Sequence, residues 1–188
     1  MRRFYGIISL CVIFLAIAPN LSARSYRSEL NRATHEGRLY GGKSIDAKLL
    51  WSATLVTDDF RRARAEEHAT LNHLGAVEAA RWLASEEERQ SKEWECFVTF
   101  YAKSEYQKFS TGSDSFWNIF LVDDVGDHVS PHTIELIPVT PYIELIYPQV
   151  NRWSKAYRVT FPKVRLGRHP DLTLQSVVGS STLTWRLR

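Results

Sequence analysis

The chain has few cysteines: Cys11 and Cys96 are the only two among its 188 residues. Cys11 lies in an apolar N-terminal run, and removal of that run would leave Cys96 alone, so that no disulfide could form within the domain. A fold held together by disulfides is thereby excluded, and the hydrophobic core must stabilise the domain. Cys96 itself falls in the apolar segment 94–101. We predict a buried, unreactive thiol there, with a reactive thiol as the alternative.

The sequence also lacks a marked excess of charge of either sign. The formal net charge is +3, and it falls to +1 when Arg2 and Arg3 are removed. Runs of five or more basic residues are absent, so nucleic acid is not expected as a partner. Glycine loops that hold phosphates, dinucleotide fingerprints, the G-x-S-x-G elbow and internal repeats are missing as well. We therefore predict no cofactor and assign no catalytic residue.

The first 23 residues have the layout of a secretory signal peptide. Arg2 and Arg3 precede an apolar run over 4–18, Pro19 ends the run, and small residues follow up to Ala23. The run has 15 residues, whereas a membrane-spanning helix needs about 20. We predict cleavage near Ala23 and a periplasmic or secreted protein. An uncleaved anchor is the alternative, and membrane attachment is expected only in that case.

After the leader, we predict a mobile arm at 24–34 and a single β-rich domain at 35–188. A first strand is expected at 48–56. The segment 58–90 is rich in Ala, Glu and Arg with apolar residues at helical spacing, which predicts a helical insertion after that strand. Thr57 is the expected N-cap, and Gly75 is where the helix would kink or divide.

From residue 94 the hydrophobic period changes to two, which indicates strands. Further strands are predicted at 94–101, 116–122, 132–139, 155–161, 172–178 and 182–187, and an irregular stretch at 140–153. Pro138 makes the strand that it ends an edge strand. We predict an α+β, mainly β fold: an antiparallel β-sandwich or partly open barrel with one long or kinked helical insertion after the first strand.

Five segments carry a resemblance to a known group of proteins. They are Thr57-Asp58-Asp59-Phe60-Arg61, which opens the helical insertion, the aromatic strand 97–101, the segments 117–126 and 157–162, and the closing Leu183-Thr184-Trp185. Together they resemble exported bacterial proteins of unknown function, many of them classed as lipoproteins. The resemblance covers 35–188 and implies a sandwich-like domain in the cell envelope, with no implied activity. The chain departs from that group because it has no cysteine placed for lipidation.

An acidic cluster is one candidate for chemistry. Asp123, Asp124, Asp127 and His128 surround Gly126. Oxygen ligands this close could hold a hard cation such as calcium, although the spacing departs from the D-x-[DN]-x-[DN]-G loop. Asp and Gly are also the residues that a tight hairpin requires. A turn is the first interpretation, and a metal site is the alternative.

An aromatic segment is the second candidate. The stretch 140–153 contains Tyr142, Tyr147, Arg152 and Trp153. Aromatic and arginine side chains on such a stretch are typical of surfaces that bind a peptide or a sugar. Packing of the stretch over the sheet is the alternative.

These observations favour a non-catalytic binding or assembly module of the bacterial envelope. Its expected partner is another envelope protein, a peptide or a glycan. The alternative hypothesis is a metal-dependent or hydrolytic envelope enzyme that uses some of Asp123, Asp124, His128 and His132.

Overall fold

The computed structural model describes residues 25–41, 47–123 and 125–187. Over this part the chain has an α+β, mainly β fold with two antiparallel sheets arranged as a sandwich. The predicted fold class is therefore confirmed. The predicted signal peptide lies outside the described residues.

The described chain contains the following helices and strands. The helices are α1 (Tyr26–Ala33), α2 (Asp58–Leu71), α3 (Ala76–Lys92) and α4 (Pro141–Ile146), with a 3-10 turn at Ser104–Tyr106. The strands are β1 (Thr34–Tyr40), β2 (Ala47–Leu55), β3 (Glu93–Ala102), β4 (Asn118–Val122), β5 (His128–Val129), β6 (Thr133–Ile137), β7 (Lys155–Pro162), β8 (Asp171–Ser176) and β9 (Gly179–Thr184). Sheet A has the order β1-β2-β3-β7-β6, and sheet B has the order β5-β4-β8-β9. The position of β6 at the edge of sheet A agrees with the expectation from Pro138.

The main core lies between the two sheets. Alternate residues of β2, β3 and β7 turn apolar side chains inward, among them Trp51 and Phe100. Leu174 of sheet B and Trp117, directly before β4, face them. Each such side chain stabilises the fold by about 1.5–3 kcal/mol when it is fully buried. Cys96 is completely buried in this core, and burial raises the pKa of its thiol, so it stays protonated as predicted.

The two sheets meet closely where β1 lies beside β9. The Trp51 indole nitrogen donates a hydrogen bond of 2.9 Å to Ser181 Oγ of β9. A Cβ atom at Gly37 of β1 would lie 2.2 Å from that same indole nitrogen. Glycine is therefore required at this position for the indole to cross under β1.

The N-terminal segment differs from its prediction as a mobile arm at 24–34. Residues 26–33 form α1, and Leu30 and Ala33 pack against Phe60 of α2. Of its charged residues, Arg27 is exposed, Arg32 is half-exposed and Glu29 is buried. The polar composition of the segment therefore does not indicate its short apolar stripe. The strand β1 then follows directly, so the helical insertion comes after the second strand, not the first.

The helical insertion consists of two helices. Thr57 caps α2 as predicted, because its Oγ1 accepts a hydrogen bond of 3.3 Å from the Phe60 amide. The helix is interrupted at 72–75, where His73 has a φ of 52° and Gly75 is the N-cap of α3. A second difference is α4, which replaces part of the irregular stretch expected at 140–153, because Pro141 fits the first turn of a helix.

In the described part of the chain, we find no helix with the length and apolar character that crossing a membrane would require.

Candidate functional site: a cavity on the outer face of sheet A

The outer face of sheet A, which points away from sheet B, has a covered half and an open half. Along β3 the side chains on this face are Glu95, Phe97, Thr99 and Tyr101. Glu95 and Phe97 lie beneath helices and the segment after α4, whereas Tyr101 is 40% exposed. The border between the two halves therefore falls within a single strand.

The covered half begins with an apolar layer. Phe97 stacks on Tyr147, with ring centroids 3.7 Å apart, and Phe60 of α2 packs beside them. Ala156 of β7 and Ile146 of α4 complete the layer. This second core fixes the end of α4 on the sheet and so determines where the following residues run.

Above the apolar layer lies a buried ion network, which we define as Arg61, Arg64, Glu86 and Glu95. Arg61 contacts Glu86 at 2.9 Å, Arg64 contacts Glu95 at 3.0 Å, and Arg64 also bonds to Glu86. The Tyr147 hydroxyl lies 2.9 Å from Arg64. The network joins α2, α3 and β3, so it holds the helical hairpin on the sheet.

The environment shifts the pKa values of the network. Burial lowers the pKa of Arg61 to about 10, so it remains charged at neutral pH. Burial alone would raise the pKa of Glu95, but Arg64 and Arg61 outweigh it and hold that pKa below the ordinary 4.5. Within the described residues, Nε and Nη2 of Arg61 have no hydrogen-bond partner, so its buried charge depends on its carboxylate neighbours.

The open half forms the floor of a cavity of about 650 Å³, which we call the outer cavity. Cross-strand pairing places Arg38, Leu50 and Tyr101 in one row across β1, β2 and β3, and Glu36, Ser52 and Thr99 in the next. Ser52 Oγ and Thr99 Oγ1 lie 2.6 Å apart and hydrogen-bond to each other. The floor therefore has the hydroxyl groups of Ser52 and Thr99 in one row and the larger side chains of Leu50 and Tyr101 in the next.

A tight turn at 151–154 forms one wall of the outer cavity. Asn151 Oδ1 accepts hydrogen bonds from the amides of Trp153 at 2.9 Å and Ser154 at 3.1 Å. At the border, Gln149 Nε2 donates to Thr54 Oγ1 at 3.0 Å. The turn lies beside Tyr101 because β7 begins only at Lys155, opposite Phe100. Its hydrogen bonds fix the backbone of Trp153 at the edge of the cavity.

Exposed aromatic side chains surround the opening of the outer cavity. Tyr40 is 51% exposed and Trp153 is 67% exposed, and both line the cavity with Tyr101. The charged lining residues Glu36 and Arg38 lie 3.5 Å apart, so their charges largely cancel. The arrangement can stack on an apolar ring face and hydrogen-bond to polar groups, and the charges of its described lining residues balance.

The structure separates the four aromatic and arginine residues that were predicted as a binding set. Trp153 lines the outer cavity, and the Arg152 guanidinium lies 4.5 Å from the centre of its ring. Tyr147 is buried on Phe97 and belongs to the second core. Tyr142 contacts His68 of α2 in a T-shaped arrangement, away from the cavity lining.

The sequence patterns did not predict most residues of the outer cavity. Tyr40, Leu50, Ser52, Thr99 and Tyr101 were not proposed as site residues, although all line it. A signal existed for β3, because alternation places its last aromatic residue on the same face as a threonine two positions earlier. That alternation does not predict which residues of the face the helices cover.

The acidic cluster forms a turn in the described residues. Asp123 Oδ1 accepts hydrogen bonds from the amides of Val125 at 3.0 Å and Asp127 at 2.9 Å, and Gly126 has a φ of 88°. The His128 ring stacks on Phe120. Asp124 lies outside the described residues, and among those described no group of three or more His, Cys, Asp or Glu side chains is placed to hold a metal ion.

His132, the further residue of the enzyme hypothesis, lies directly before β6 of sheet A. Its Nε2 is 3.2 Å from a Glu93 carboxylate oxygen and 3.0 Å from Thr160 Oγ1. These contacts tie it to β3 and β7 of sheet A. The acidic turn, in contrast, connects β4 and β5 of sheet B.

Comparisons with known proteins give no relative: no family model, no curated protein and no solved structure matches this chain. The resemblance to exported bacterial proteins therefore stays a prediction, and the geometry has to support any proposal about function.

Proposed function

We propose that this chain is a non-catalytic binding module of the bacterial cell envelope and that its ligand occupies the outer cavity. The observation that carries the proposal is the convergence of Tyr40, Tyr101 and Trp153 around a cavity with a hydrogen-bonding floor. The envelope location rests on the signal-like N-terminal sequence.

The exposure of these aromatic rings supports a binding role. Large aromatic side chains contribute most to binding where they stand exposed around a concave surface. The backbone of Trp153 is held by a hydrogen-bonded turn and Tyr101 stands on a paired strand, so little backbone entropy would be lost on binding.

The contacts of the polar groups favour binding over catalysis. A nucleophilic hydroxyl needs an adjacent base to activate it. Ser52 and Thr99, in contrast, bond to each other, and the carboxylate of Glu36 is paired with Arg38. These groups are arranged to recognise a ligand.

The test is an NMR titration of the purified protein, in the form that the host produces, with a mixed panel of soluble oligosaccharides and uncharged oligopeptides. We expect shift changes concentrated on the Trp153 indole signal and the amides near Tyr101. The variant Tyr101→Ala should weaken binding. Tyr142→Ala removes a tyrosine of similar exposure outside the cavity and should leave binding unchanged.

The proposal is overturned if no member of the panel shifts the cavity signals, or if the shifts concentrate on another surface. Equal loss of binding in Tyr101→Ala and Tyr142→Ala would also contradict it, because that result would not depend on the outer cavity.

A further inference from the structure

We infer that the ligand of the outer cavity is an uncharged oligosaccharide; this inference rests on the proposed function and specifies its ligand class. It draws on four features of the site: the aromatic rim, the polar lining, the pairing of the charged lining residues, and the pairing of the floor strands β2 and β3 on both sides.

The aromatic rim suits the apolar faces of sugar rings. A pyranose ring presents C–H groups on its two faces and hydroxyl groups around its edge, so it can stack on an aromatic ring while its edge stays hydrated. Trp153 and Tyr101 each offer ring surface at the opening of the cavity. Arg152 packs against the Trp153 ring at 4.5 Å and helps to fix its position.

The polar lining suits the edge of a sugar ring. Sugar hydroxyls both donate and accept hydrogen bonds, and the hydroxyl and amide side chains of the cavity do the same. Ser52 and Thr99 lie on the floor, largely buried and bonded to each other, whereas Gln149 and Asn151 lie in the wall and are more exposed. Asn151 uses Oδ1 for the turn, so its NH₂ group is the part that can serve a ligand.

The balance of charge favours an uncharged ligand. Among the described residues, Glu36 and Arg38 are the charged side chains that line the cavity and they pair with each other, while the Arg152 guanidinium lies against the Trp153 ring, so the described lining offers no cluster of like charges. An anionic ligand would be expected to meet a cluster of arginines, which bind carboxylate and phosphate groups through paired hydrogen bonds.

A peptide that adds a strand to a sheet needs a free strand edge. On the floor of the outer cavity, β2 and β3 are paired on both sides, whereas β1 is an edge strand of sheet A. A ligand that lies over β2 and β3 therefore meets side chains and not free main-chain groups. The volume of about 650 Å³ lies within the ~300–1,000 Å³ of small-molecule sites and leaves room for more than one sugar ring.

The experiment is isothermal titration of the purified protein with three neutral hexasaccharides: a β-1,4-glucan, an α-1,4-glucan and a β-1,4-linked N-acetylglucosamine oligomer. A uronic acid hexamer and a neutral Ser/Gly hexapeptide are the comparison probes. We expect at least one neutral hexasaccharide to bind, with little change in affinity between low and high salt. The uronic acid hexamer and the hexapeptide should bind more weakly.

Variants locate the binding. Trp153→Ala should weaken it by roughly tenfold or more, as expected for an aromatic residue that dominates an interface. Trp153→Phe, which keeps a ring for stacking, should recover part of the affinity, and Tyr142→Ala should not change it. Circular dichroism spectra of the variants check that each is folded.

Two results would overturn the inference in different ways. In the first, every neutral hexasaccharide fails to bind, whereas the hexapeptide or the uronic acid hexamer binds, loses affinity in Trp153→Ala and shifts the cavity signals in the NMR titration. The ligand class is then wrong and the proposed function stands. If none of the five probes binds and the mixed panel also leaves the cavity signals unchanged, both are wrong.

Discussion

Phe97 and Tyr101 lie four residues apart on the same face of β3, yet Phe97 is 4% exposed and Tyr101 is 40% exposed. Phe97 lies beneath Tyr147 and beside α2, whereas Tyr101 faces the outer cavity. One strand thus contributes its aromatic residues to a core at one end and to an exposed surface at the other. The burial of a side chain on the outer face therefore depends on whether a helix or the segment after α4 covers it, and not on the strand that carries it.

The same contrast holds for the charged side chains of the outer face. In the covered half, Arg61 and Glu86 are almost completely buried, where the loss of one partner leaves an uncompensated charge. In the open half, Glu36 and Arg38 are well exposed, and water screens their interaction. The covered half should therefore determine stability, and the open half should be free to serve binding.

The largest effect is expected from Phe97→Ala. Removal of this ring leaves a cavity beneath Tyr147, which should lower the free energy of unfolding by about 3–5 kcal/mol. The matched control is Tyr101→Ala on the same strand and face, with an expected loss of about 1 kcal/mol or less. Urea denaturation measures both. Similar losses in the two variants would show that the two halves do not differ in stability.

A smaller loss is expected from Glu86→Gln. This change removes the charge that compensates Arg61 but keeps the shape, and it should lower the free energy of unfolding by about 1.5–3 kcal/mol. The control is Glu88→Gln on the same helix, where an exposed carboxylate pairs with Lys92 and no measurable change is expected. Thermal melting of both variants tests the difference. An unchanged melting temperature in Glu86→Gln would show that the ion network does not stabilise the fold.

The smallest effect at neutral pH comes from the titration of Glu95, because it appears only in acid. The pKa of Glu95 in the folded protein lies below the ordinary 4.5, so the unfolded state binds the proton more readily. Its contribution is fully present above pH 4.5 and is lost as the pH falls through the folded pKa. The melting temperature should therefore fall more steeply in acid for the wild-type protein than for Glu95→Gln. Parallel curves would contradict this assignment.

Local sequence patterns predicted a large part of the fold. Strands expected at 94–101 and 155–161 are observed as β3 and β7, and Thr57 and Gly75 mark the ends of helices as expected. These features depend on near neighbours: side chains alternate along a strand, and a cap serves the next turn of its own helix. The helix α1 and the strand β1 were missed because their apolar faces are narrow and are completed only by contacts with distant residues.

The candidate site was predicted only in part. Trp153 was proposed and does line the outer cavity, but Tyr147 and Tyr142, from the same stretch of sequence, lie elsewhere. Nothing in the spacing of these residues distinguishes a ring that packs on Phe97 from one that faces solvent. The outcome depends on where α4 ends and on which strand lies beneath it.

The sequence by itself determined the periodicity of the strands, the caps of the insertion and the burial of Cys96, because each follows from neighbours along the chain. The tertiary structure alone decided which aromatic residues are exposed. Tyr40, Tyr101 and Trp153 come from β1, β3 and a turn before β7, and pairing of the strands brings them together. The helices α2 and α4 cover the other end of the same face and leave this end open, which no local pattern can specify.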